Sequence, residues 1–345
     1  MARRTTIGDV AKLAGVGKVT VSYVLNGRAR ERGISTGTTE RIVAAAKSLN
    51  YTPNPVGRML ARQCTNTFAI VFQSASYFAS TSSFIPEVLR GVCEESVNQG
   101  YDVVLHTKPT EDVLADALYL TSGRVDGVLV LRDAGDPLIT AIAERGFPQV
   151  LFFSRCDDPR VGFVDSDNFS GGRLAAQHLT QLGHRRIGMV CGSPKSVDAA
   201  DRRFGFQSGL MQAGLPVEEN RFITMFNSLD NTEGFRELMR RPDRPTALFV
   251  WSDDVAFRCI SLLNELGLRV PDDVSVIGFD STEACERIVP PLTSIRQPIG
   301  HISRAATRLL VQLMHGQEPD ARHLVFPPSL DLRSTTAPPG RIPSQ

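Results

Sequence analysis

Four side chains near the N-terminus, Lys18, Val19, Ser22 and Tyr23, have the types and spacing needed to read base edges in DNA. Lysine donates hydrogen bonds to guanine acceptors, and valine makes apolar contact with the methyl group of thymine. In a helix that begins near residue 17, Ser22 and Tyr23 would follow Lys18 and Val19 by one turn. Thr20 and the backbone amides at the helix start would hold phosphate groups. The stretch is therefore predicted to contact a DNA duplex.

Two short helices joined by a tight turn would position these side chains. Thr6 with Asp9 three residues later resembles a capping box, so the first helix is predicted over 7–14. Gly15 permits a sharp turn before a second helix that begins at residue 17 or 18. The apolar residues at helical spacing are Ile7, Val10, Ala11 and Ala14, then Val21, Val24 and Leu25. This pattern is typical of a helix-turn-helix, which inserts its second helix into the major groove, but any globular protein can contain two amphipathic helices.

The next segment favours the first of these alternatives. Ser35 is an N-cap candidate for a third helix, which prolines at positions 53 and 55 would stop. Asn54 can cap a short further helix with the sequence VGRMLA. The predicted buried stripe of the third helix is Ile42, Val43, Ala46 and Leu49.

The words IGDVAKLAGV, TVSYVLNG, SxxTxxRI from Ser35, LNYTPN from Leu49 and GRMLA from Gly57 resemble the lactose repressor (LacI/GalR) family of bacterial transcription regulators. The resemblance implies a DNA-binding domain over 1–53 and a hinge helix over 54–63 that folds on cognate DNA and pairs with its copy in a second subunit. Leu60 would then wedge into the minor groove, where unstacking a base step costs about a few kcal/mol. An ordinary core leucine is the alternative for Leu60, and Arg58 and Arg62 suit phosphate contact.

This region also departs from the family pattern. Gly17 stands where a serine cap is usual, and Tyr23 stands where arginine is usual. The loop between Asn26 and Ile34 is longer than the family norm, and it is either an extra phosphate-contacting loop or a solvated surface loop. The residues predicted to contact DNA are Thr6, Lys18, Val19, Thr20, Ser22, Tyr23, Asn26, Arg28, Arg30, Tyr51, Asn54, Arg58, Leu60 and Ala61.

Charge and composition are consistent with a nucleic-acid-binding head on a larger body. Residues 1–62 hold eleven Lys and Arg against three acids, a net charge of +8, whereas the whole chain carries +1, so the remainder carries −7. The six cysteines contain no CxxC pair, which argues against a zinc site or a disulfide framework. We expect no metal or cofactor. The N-terminus lacks an apolar signal sequence and no apolar run is long enough to cross a membrane, so we expect a cytoplasmic protein.

Strands and helices alternate from residue 68 to about residue 279, which predicts an α/β body of two doubly wound parallel-sheet halves. The family resemblance continues through DNFSGGRLAAQHLTQLGHRRIG, RRFGFQSGL, SVIGFD, LTSIRQP and LRSTTAPP, and it implies a fold like the periplasmic sugar-binding proteins. The expected effector-binding and dimerisation domain is 64–338, with one half over about 64–165 and 295–325, the other over about 166–293 and 326–338, and a tail over 339–345. The chain would cross between the halves near Asp165, Ser294 and Phe326.

Such halves bind their ligand in the cleft between them, at the carboxyl ends of the strands. By the resemblance, Arg202 grips ligand hydroxyls or a carboxylate and Asp280 accepts from hydroxyl or N–H groups. Leu229 stands where an aromatic residue often stacks on the ligand, and Trp251 stands where small residues are usual, so Trp251 supplies that stacking face or is a core residue at a strand end. Asp253 accepts sugar hydroxyls or only caps the next helix. The predicted effector contacts are Phe84, Ile85, Arg155, Arg202, Leu229, Trp251, Asp253, Asp254 and Asp280.

These features predict a homodimeric transcriptional regulator, a repressor, that binds a palindromic operator under the control of a small-molecule effector. A carbohydrate effector is favoured, and a purine or another polar metabolite is the alternative. An enzyme is disfavoured because the chain has no GxSxG, P-loop or HExxH motif. A solute-binding protein for transport would need an export signal and would not carry the basic head.

Overall fold

The protein divides into two compact units, Met1–Thr65 and Asn66–Gln345. The structure is a computed structural model, and it describes residues 5–52, 64–73, 83–107, 112–225 and 231–340. Within these ranges no helix combines the length and the apolar character needed to cross a lipid bilayer.

Over residues 5–52 the first unit is built from three helices, α1 (Ile7–Ala14), α2 (Lys18–Leu25) and α3 (Thr36–Ser48). Thr6 and Asp9 form the expected capping box at the start of α1, and Gly15 ends that helix in the left-handed conformation with a φ of 65°. Gly17 caps α2 without any side-chain hydrogen bond, whereas the hydroxyl of Ser35 accepts from the amide of Thr38 at the start of α3. The core that joins the three helices is Val10, Ala11, Ala14, Val21, Val24, Ile42, Ala45 and Ala46.

The second unit is an α/β body. Its helices are α4 (Phe84–Gln99), α5 (Val113–Leu120), α6 (Pro137–Ala143), α7 (Asn168–Gln181), α8 (Val197–Gln212), α9 (Thr232–Arg240), α10 (Asp253–Glu265) and α11 (Ile299–Met314), with short 3₁₀ turns at Glu219–Arg221 and Glu283–Glu286. Its strands are β1 (Thr67–Phe72), β2 (Asp102–His106), β3 (Gly127–Leu131), β4 (Gln149–Phe152), β5 (Gly162–Ser166), β6 (Ile187–Cys191), β7 (Phe222–Thr224), β8 (Ala247–Val250), β9 (Ser275–Asp280), β10 (Thr293–Arg296), β11 (His323–Phe326) and β12 (Ser329–Asp331).

These strands form two six-stranded sheets. The first has the order β11-β5-β4-β3-β1-β2 and is parallel throughout, and the second has the order β12-β10-β9-β8-β6-β7. Among the described residues of the second sheet, β12 is antiparallel to its neighbour β10, and the other neighbouring strands are parallel. The chain passes between the sheets after β5, after β10 and after β11, close to Asp165, Ser294 and Phe326. We call the part around the first sheet half N and the part around the second half C.

Each sheet is covered by helices on both faces. Along β1, Phe68, Ile70 and Phe72 face the core that includes α11, while Ala69 and Val71 face the core that includes α5 and α6. This alternation follows from the period of two residues in a strand. In half C, β8 divides its side chains in the same way between α10 on one side and α7 with α8 on the other. The carboxyl ends of the strands are thus left to loops, which carry the polar residues described below.

Several element boundaries differ from the sequence-based expectation because of local capping. The helix expected from residue 202 begins at Val197, since the hydroxyl of Ser196 accepts from the amide of Ala199 at 3.3 Å. The helix expected from residue 171 begins at Asn168, where Asp167 accepts from the amide of Ser170. The sequence analysis predicted no helix at Ile299–Met314, although α11 contributes several side chains to the core of half N.

Candidate functional sites

In the head, α2 presents one face to the core and the other to solvent. Val21 and Val24 are buried, whereas Lys18 is exposed and the apolar side chain of Val19 is 64% exposed. An exposed valine beside a lysine is not explained by packing within the head, but it suits a surface that contacts base edges. The stem of Lys18 crosses α1 at Gly8, where a Cβ atom would lie 3.3 Å from Lys18 Cε. The absence of a side chain at Gly8 therefore leaves room for Lys18.

Other residues of the predicted DNA surface also have roles within the head. The hydroxyl of Thr6 donates to Asp9 Oδ2 at 2.7 Å, so it is part of the cap of α1. Asn26 Nδ2 donates to Ser22 Oγ at 3.2 Å, which fixes both side chains beside the end of α2. Tyr51 packs against the core of the head. These contacts fix the positions of the side chains without occupying the exposed face of α2.

The long loop after α2 has a defined course. The amide of Arg28 donates to the carbonyl of Tyr23 at 2.8 Å, and the amide of Ile34 donates to the carbonyl of Ala29 at 2.9 Å. Ala29 and Ile34 pack against the core of the head, while the side chains of Arg28 and Arg30 are exposed. The predicted hinge helix over 54–63, with Asn54, Arg58, Leu60 and Ala61, lies outside the described residues, as does Leu229.

Arg202 of the predicted effector set is held in place by several contacts. It extends from α8 with only 5% of its surface exposed. Its Nε donates to Asn168 Oδ1 at 2.8 Å, and its Nη1 donates to the carbonyl of Trp251 at 2.7 Å. The guanidinium carbon lies 3.6 Å from the ring centroid of Phe279, a cation–π contact. Because these partners follow β5, follow β8 and lie in β9, Arg202 stands where the carboxyl ends of strands from both sheets meet.

Asp280 lies beside Arg202 at the end of β9. Its Oδ1 is 3.9 Å from Arg202 Nη1 and accepts from Gln297 Nε2 at 2.6 Å. Burial raises the pKa of Asp280 well above its ordinary value, and the charge of Arg202 opposes this rise. The residue has a φ of 116°, which L-amino acids rarely adopt, and Ser281 follows with a φ of 50°. A strained strand end of this kind is often found where a side chain is aimed at a ligand.

Two further carboxylates, which the sequence reading did not include among the site residues, lie close to this pair. Asp165, the penultimate residue of β5, has 1% of its surface exposed, accepts from the amide of Ser166 at 2.7 Å, and has a pKa raised by burial to about 6. Asp198 lies in the first turn of α8, and its pKa is raised by burial and by the charge of Asp165. Its Oδ1 is a buried acceptor with no hydrogen-bond partner among the described residues.

Asp165, Asn168 and Asp198 could be recognised only in part from the sequence. Asp165 follows an apolar strand, and Asp198 precedes Arg202 by four residues, one turn of helix. The family resemblance places Asn168 at the crossover between the halves, but its role of holding Arg202 depends on how α7 and α8 pack together.

Three further predicted effector residues, Phe84, Ile85 and Arg155, belong to half N. Ile85 is part of the core of half N, and Phe84 makes an edge contact with Phe153 at 4.9 Å between ring centroids. Ile85 therefore packs within half N, and its contact with an effector stays a prediction. Arg155, after β4 in half N, forms an ion pair of 2.6 Å with Asp201 on α8 in half C. Arg155 thus bridges the two halves beside Arg202.

Asp253 and Asp254 have different surroundings. Asp253 is buried, and its carboxylate accepts from the amide of Thr282 at 2.9 Å and from the hydroxyl of Ser294 at 2.6 Å. Burial raises the pKa of Asp253 to about 6. These bonds tie the start of α10 to β10 and to the residues that follow β9. This structural role was not among the two roles predicted for Asp253, which were binding sugar hydroxyls and capping the helix. Asp254 instead accepts from the amide of Ser83 in half N at 3.4 Å.

The contacts of Trp251 favour its interpretation as a residue at the edge of the core. Its Nε1 donates to the carbonyl of Met225 at 2.8 Å, and its indole packs closely against Gly192, where a Cβ would lie only 2.6 Å from Trp251 Cδ2. One face of the ring is therefore covered by β6 and the residues that follow it. The stacking of Trp251 on a ligand stays a prediction. No group of three or more His, Cys, Asp or Glu side chains suited to a metal ion occurs within the described ranges.

Comparisons with known proteins cover both units. Residues 6–54 match the family described as "Bacterial regulatory proteins, lacI family", and residues 176–336 match "Periplasmic binding protein-like domain". The HTH-type transcriptional repressor PurR of Photobacterium profundum is 32% identical over 96% of this chain and 98% of its own length. The chain belongs to the lacI family of bacterial regulatory proteins. It is a DNA-binding regulator of transcription and not an enzyme.

Other lacI-family proteins are similar over nearly the whole chain. The HTH-type transcriptional regulator CelR of Thermobifida fusca is 34% identical over 96% of this chain and 98% of its own length. A solved CelR–cellobiose complex matches with a TM-score of 0.73 at 33% identity, covering 96% of this chain and 100% of that one. The lac repressor dimer bound to operator and the anti-inducer ONPF matches with a TM-score of 0.82 at 27% identity, covering 97% and 100%. The predicted fold class, a helix-turn-helix head on a periplasmic-binding-protein-like α/β body, is confirmed.

Proposed function

We propose that this chain is a homodimeric repressor of a palindromic operator, and that a carbohydrate bound between halves N and C controls its DNA affinity. The proposal uses a DNA-binding domain over 1–53, a hinge over 54–63 and halves over 64–165 with 295–325 and 166–293 with 326–338. Two-fold symmetric dimers match palindromic half-sites, and the similar lac repressor is a dimer on its operator. A regulator acts where its operator lies, so a cytoplasmic location belongs to the same proposal.

The observation that carries the carbohydrate assignment is the buried pair of Arg202 and Asp280 at the meeting of the two sheets. A sugar hydroxyl both donates and accepts, so a guanidinium and a carboxylate 3.9 Å apart offer partners to neighbouring hydroxyls. Asp198 Oδ1, which has no hydrogen-bond partner among the described residues, is a further acceptor, and buried acceptors normally find a donor. The solved complex of CelR, 33% identical to this chain, contains cellobiose.

The same geometry offers a route from ligand to operator. Arg202 contacts groups that follow strands of both sheets, and Arg155 of half N pairs with Asp201 of half C. A ligand held among these residues would bind one angle between the halves better than another, which shifts the populations of the two arrangements. Coupling of this kind typically changes the affinity for a second ligand by about 1 to 3 kcal/mol.

The proposal is tested by a thermal-shift screen of the full chain against sugars including cellobiose, sugar phosphates and nucleobases. A ligand at 100 times its Kd stabilises the native state by about 2.7 kcal/mol, which is easily detected. We expect a sugar to raise the melting temperature, and we expect Arg202→Lys and Asp280→Asn to weaken this sugar in calorimetric titration. Arg160→Lys is the matched control, because Arg160 pairs with Asp158 on the surface of half N.

Two results would contradict the carbohydrate assignment. A nucleobase that stabilises the protein when no sugar does would establish the alternative ligand class. A sugar whose affinity is the same in both cleft variants and in the control would bind elsewhere.

Emission from Trp251, the only tryptophan of the chain, reports on the stacking prediction during the same titration. A gel shift with a selected operator, with and without the ligand, then measures the sign of the coupling.

A further inference from the structure

The loop between α2 and α3 is held to the head by hydrogen bonds and packing rather than being a free connection. Its backbone is tied to α2 by the bond from the amide of Arg28 to the carbonyl of Tyr23, and it closes on itself through the bond from the amide of Arg32 to the carbonyl of Arg28 at 3.2 Å. The packing of Ala29 and Ile34 on the core fixes both ends of this turn. The arginine side chains of the loop therefore start from fixed backbone positions beside α2.

Arg32 differs from the other arginines of this loop in one contact. Its guanidinium carbon lies over the ring of Tyr23, 4.9 Å from the centroid. It is the one cation–π contact found among the described residues of the head. Tyr23 projects from α2 away from buried Val21 and Val24, on the side that also carries Lys18 and Val19. The charge of Arg32 is therefore added to the surface of the helix that enters the major groove.

We propose that Arg32 is a specificity-determining residue that reads a guanine of the operator, with the ring of Tyr23 as its platform. A guanidinium that stacks through its face keeps its N–H donors at its edge, and two parallel donors match O6 and N7 of guanine. Stacking also restricts the long side chain before DNA arrives, so less conformational freedom is lost on binding. Tyr23 is neutral, so in this arrangement the cation at its position on the reading surface comes from the loop.

Arg28 and Arg30 provide the contrast within the same loop. Both are exposed and belong to the same backbone turn, but among the described residues only Arg32 of the three lies over an aromatic ring. An exposed arginine without a platform suits phosphate contact, which adds affinity without sequence preference. The loop would thus contain one base-reading arginine and two that contact the DNA backbone.

The inference rests on operator binding by this protein, and its test begins with that step. The full-length wild type selects duplexes from a random pool, and its affinity is then measured for the consensus and for each single base-pair substitution. Arg32→Ala should weaken binding to the consensus by about tenfold or more and should lose the preference for G·C at one symmetric pair of positions. Arg32→Lys keeps the charge but not the fork, so it should bind random DNA normally and lose the same preference.

Two further variants isolate the platform and the charge. Tyr23→Leu removes the ring from under Arg32 and should lose the same preference at the same positions. Arg30→Ala removes an equal charge from the same loop, and it should weaken consensus and random duplexes alike while reducing the salt dependence of binding by about one ion per subunit. Circular dichroism and thermal melting of each variant verify that the head is folded.

The outcomes separate the inference from the proposal on which it rests. If the wild type prefers no duplex, operator binding itself is contradicted, and the role of Arg32 with it. If the wild type selects an operator but Arg32→Ala behaves like Arg30→Ala, Arg32 contacts phosphate and the base-reading role is wrong. An Arg32→Ala variant with wild-type affinity for every duplex would also overturn it.

Discussion

At the scale of single residues, the proposed ligand site contains carboxyl groups that folding removes from water. Asp165 and Asp280 lie at the carboxyl ends of strands of different sheets, within one residue of the strand end, and burial raises the pKa of each. Asp165 accepts from the amide of Ser166 and from Asn168 Nδ2, and Asp280 accepts from Gln297 Nε2, so these hydrogen bonds come from uncharged donors that do not neutralise the carboxylates. Carboxyl groups held in this way are costly to the native state, and such a cost is commonly retained at binding sites.

The cost at Asp165 predicts how stability depends on pH. Its pKa is about 6 in the native state, whereas an unfolded aspartate has a pKa of about 3.9. Between these pH values the native state keeps a proton that the unfolded state has released, so the free energy of unfolding falls as the pH rises. Asparagine does not titrate, so the free energy of unfolding of Asp165→Asn should rise relative to that of the wild type by about 3 kcal/mol across this window, and the two curves should be parallel above it.

Urea unfolding of both proteins at several pH values between about 4 and 8 measures this difference. Asp243→Asn is the control, because Asp243 is exposed and its hydrogen bond with Arg241 holds its pKa below the ordinary value, so it does not titrate in the window. If the curves of wild type and Asp165→Asn stay parallel from acid to neutral pH, the assignment of a raised pKa to Asp165 is wrong.

At the scale of elements, α7 and α8 are joined by backbone contact. A Cβ at Gly172 on α7 would collide with the carbonyl oxygen of Arg202, and one at Gly205 on α8 would collide with the carbonyl oxygen of Phe169. Glycines at this crossing let the two helices approach until Asn168 can hold the guanidinium of Arg202. The position of Arg202 is therefore set by the packing of two helices as well as by its own hydrogen bonds.

Gly172→Ala should reduce both stability and ligand binding. Overpacking at a close helix crossing typically costs about 1 to 3 kcal/mol, and here the displaced backbone is that of Arg202. We expect a lower urea midpoint together with a weaker affinity for the sugar found in the thermal-shift screen. Gly135→Ala is the control, since a Cβ there meets nothing within 4 Å. Equal effects of the two substitutions on ligand affinity would contradict the role of the crossing.

The contrast between α1 and α11 shows how far local sequence determines the fold. The start of α1 was predictable because Thr6, Asp9 and Gly15 are neighbours in the chain and cap the helix they adjoin. The place of α11 was not, because it fills the core of half N after the chain has already built half C. The same distinction applies to the proposed ligand site, where Arg202, Asp280 and the crossover residue Asn168 followed from motifs, but the hydrogen bond between Asn168 and Arg202 became visible only in the structure.

At the scale of the whole body, the two halves touch through a second set of contacts away from Arg202. Ser83 Oγ and Thr282 Oγ1 are 2.7 Å apart, and Glu87 accepts from the amide of Glu283 at 2.9 Å. Arg90 on α4 forms an ion pair of 2.9 Å with Glu283, and both side chains are more than half exposed. The start of α4 in half N is thus held against the 3₁₀ turn that follows β9 in half C.

Arg90→Ala should change the balance between closed and open halves without affecting the fold. An exposed ion pair contributes little to folding, but its whole contribution bears on the angle between the halves. We expect the sugar affinity to fall by up to a few-fold in calorimetric titration, with an unchanged urea midpoint. Arg160→Ala breaks an exposed pair that lies within half N, and it should leave the affinity unchanged. A loss of affinity in the control of the same size would show that general surface charge, not closure, is responsible.

The three passages of the chain between the sheets restrict what ligand binding can do to the body. Side-by-side covalent links at the ends of β5, β10 and β11 resist sliding and separation of the halves far more than they resist bending. The motion left with low resistance is a swing about the line through these links. The effect of a bound ligand is thus set by the angle between the halves that it favours. Ligands of unrelated structure that favour the same angle would therefore have the same effect on DNA binding.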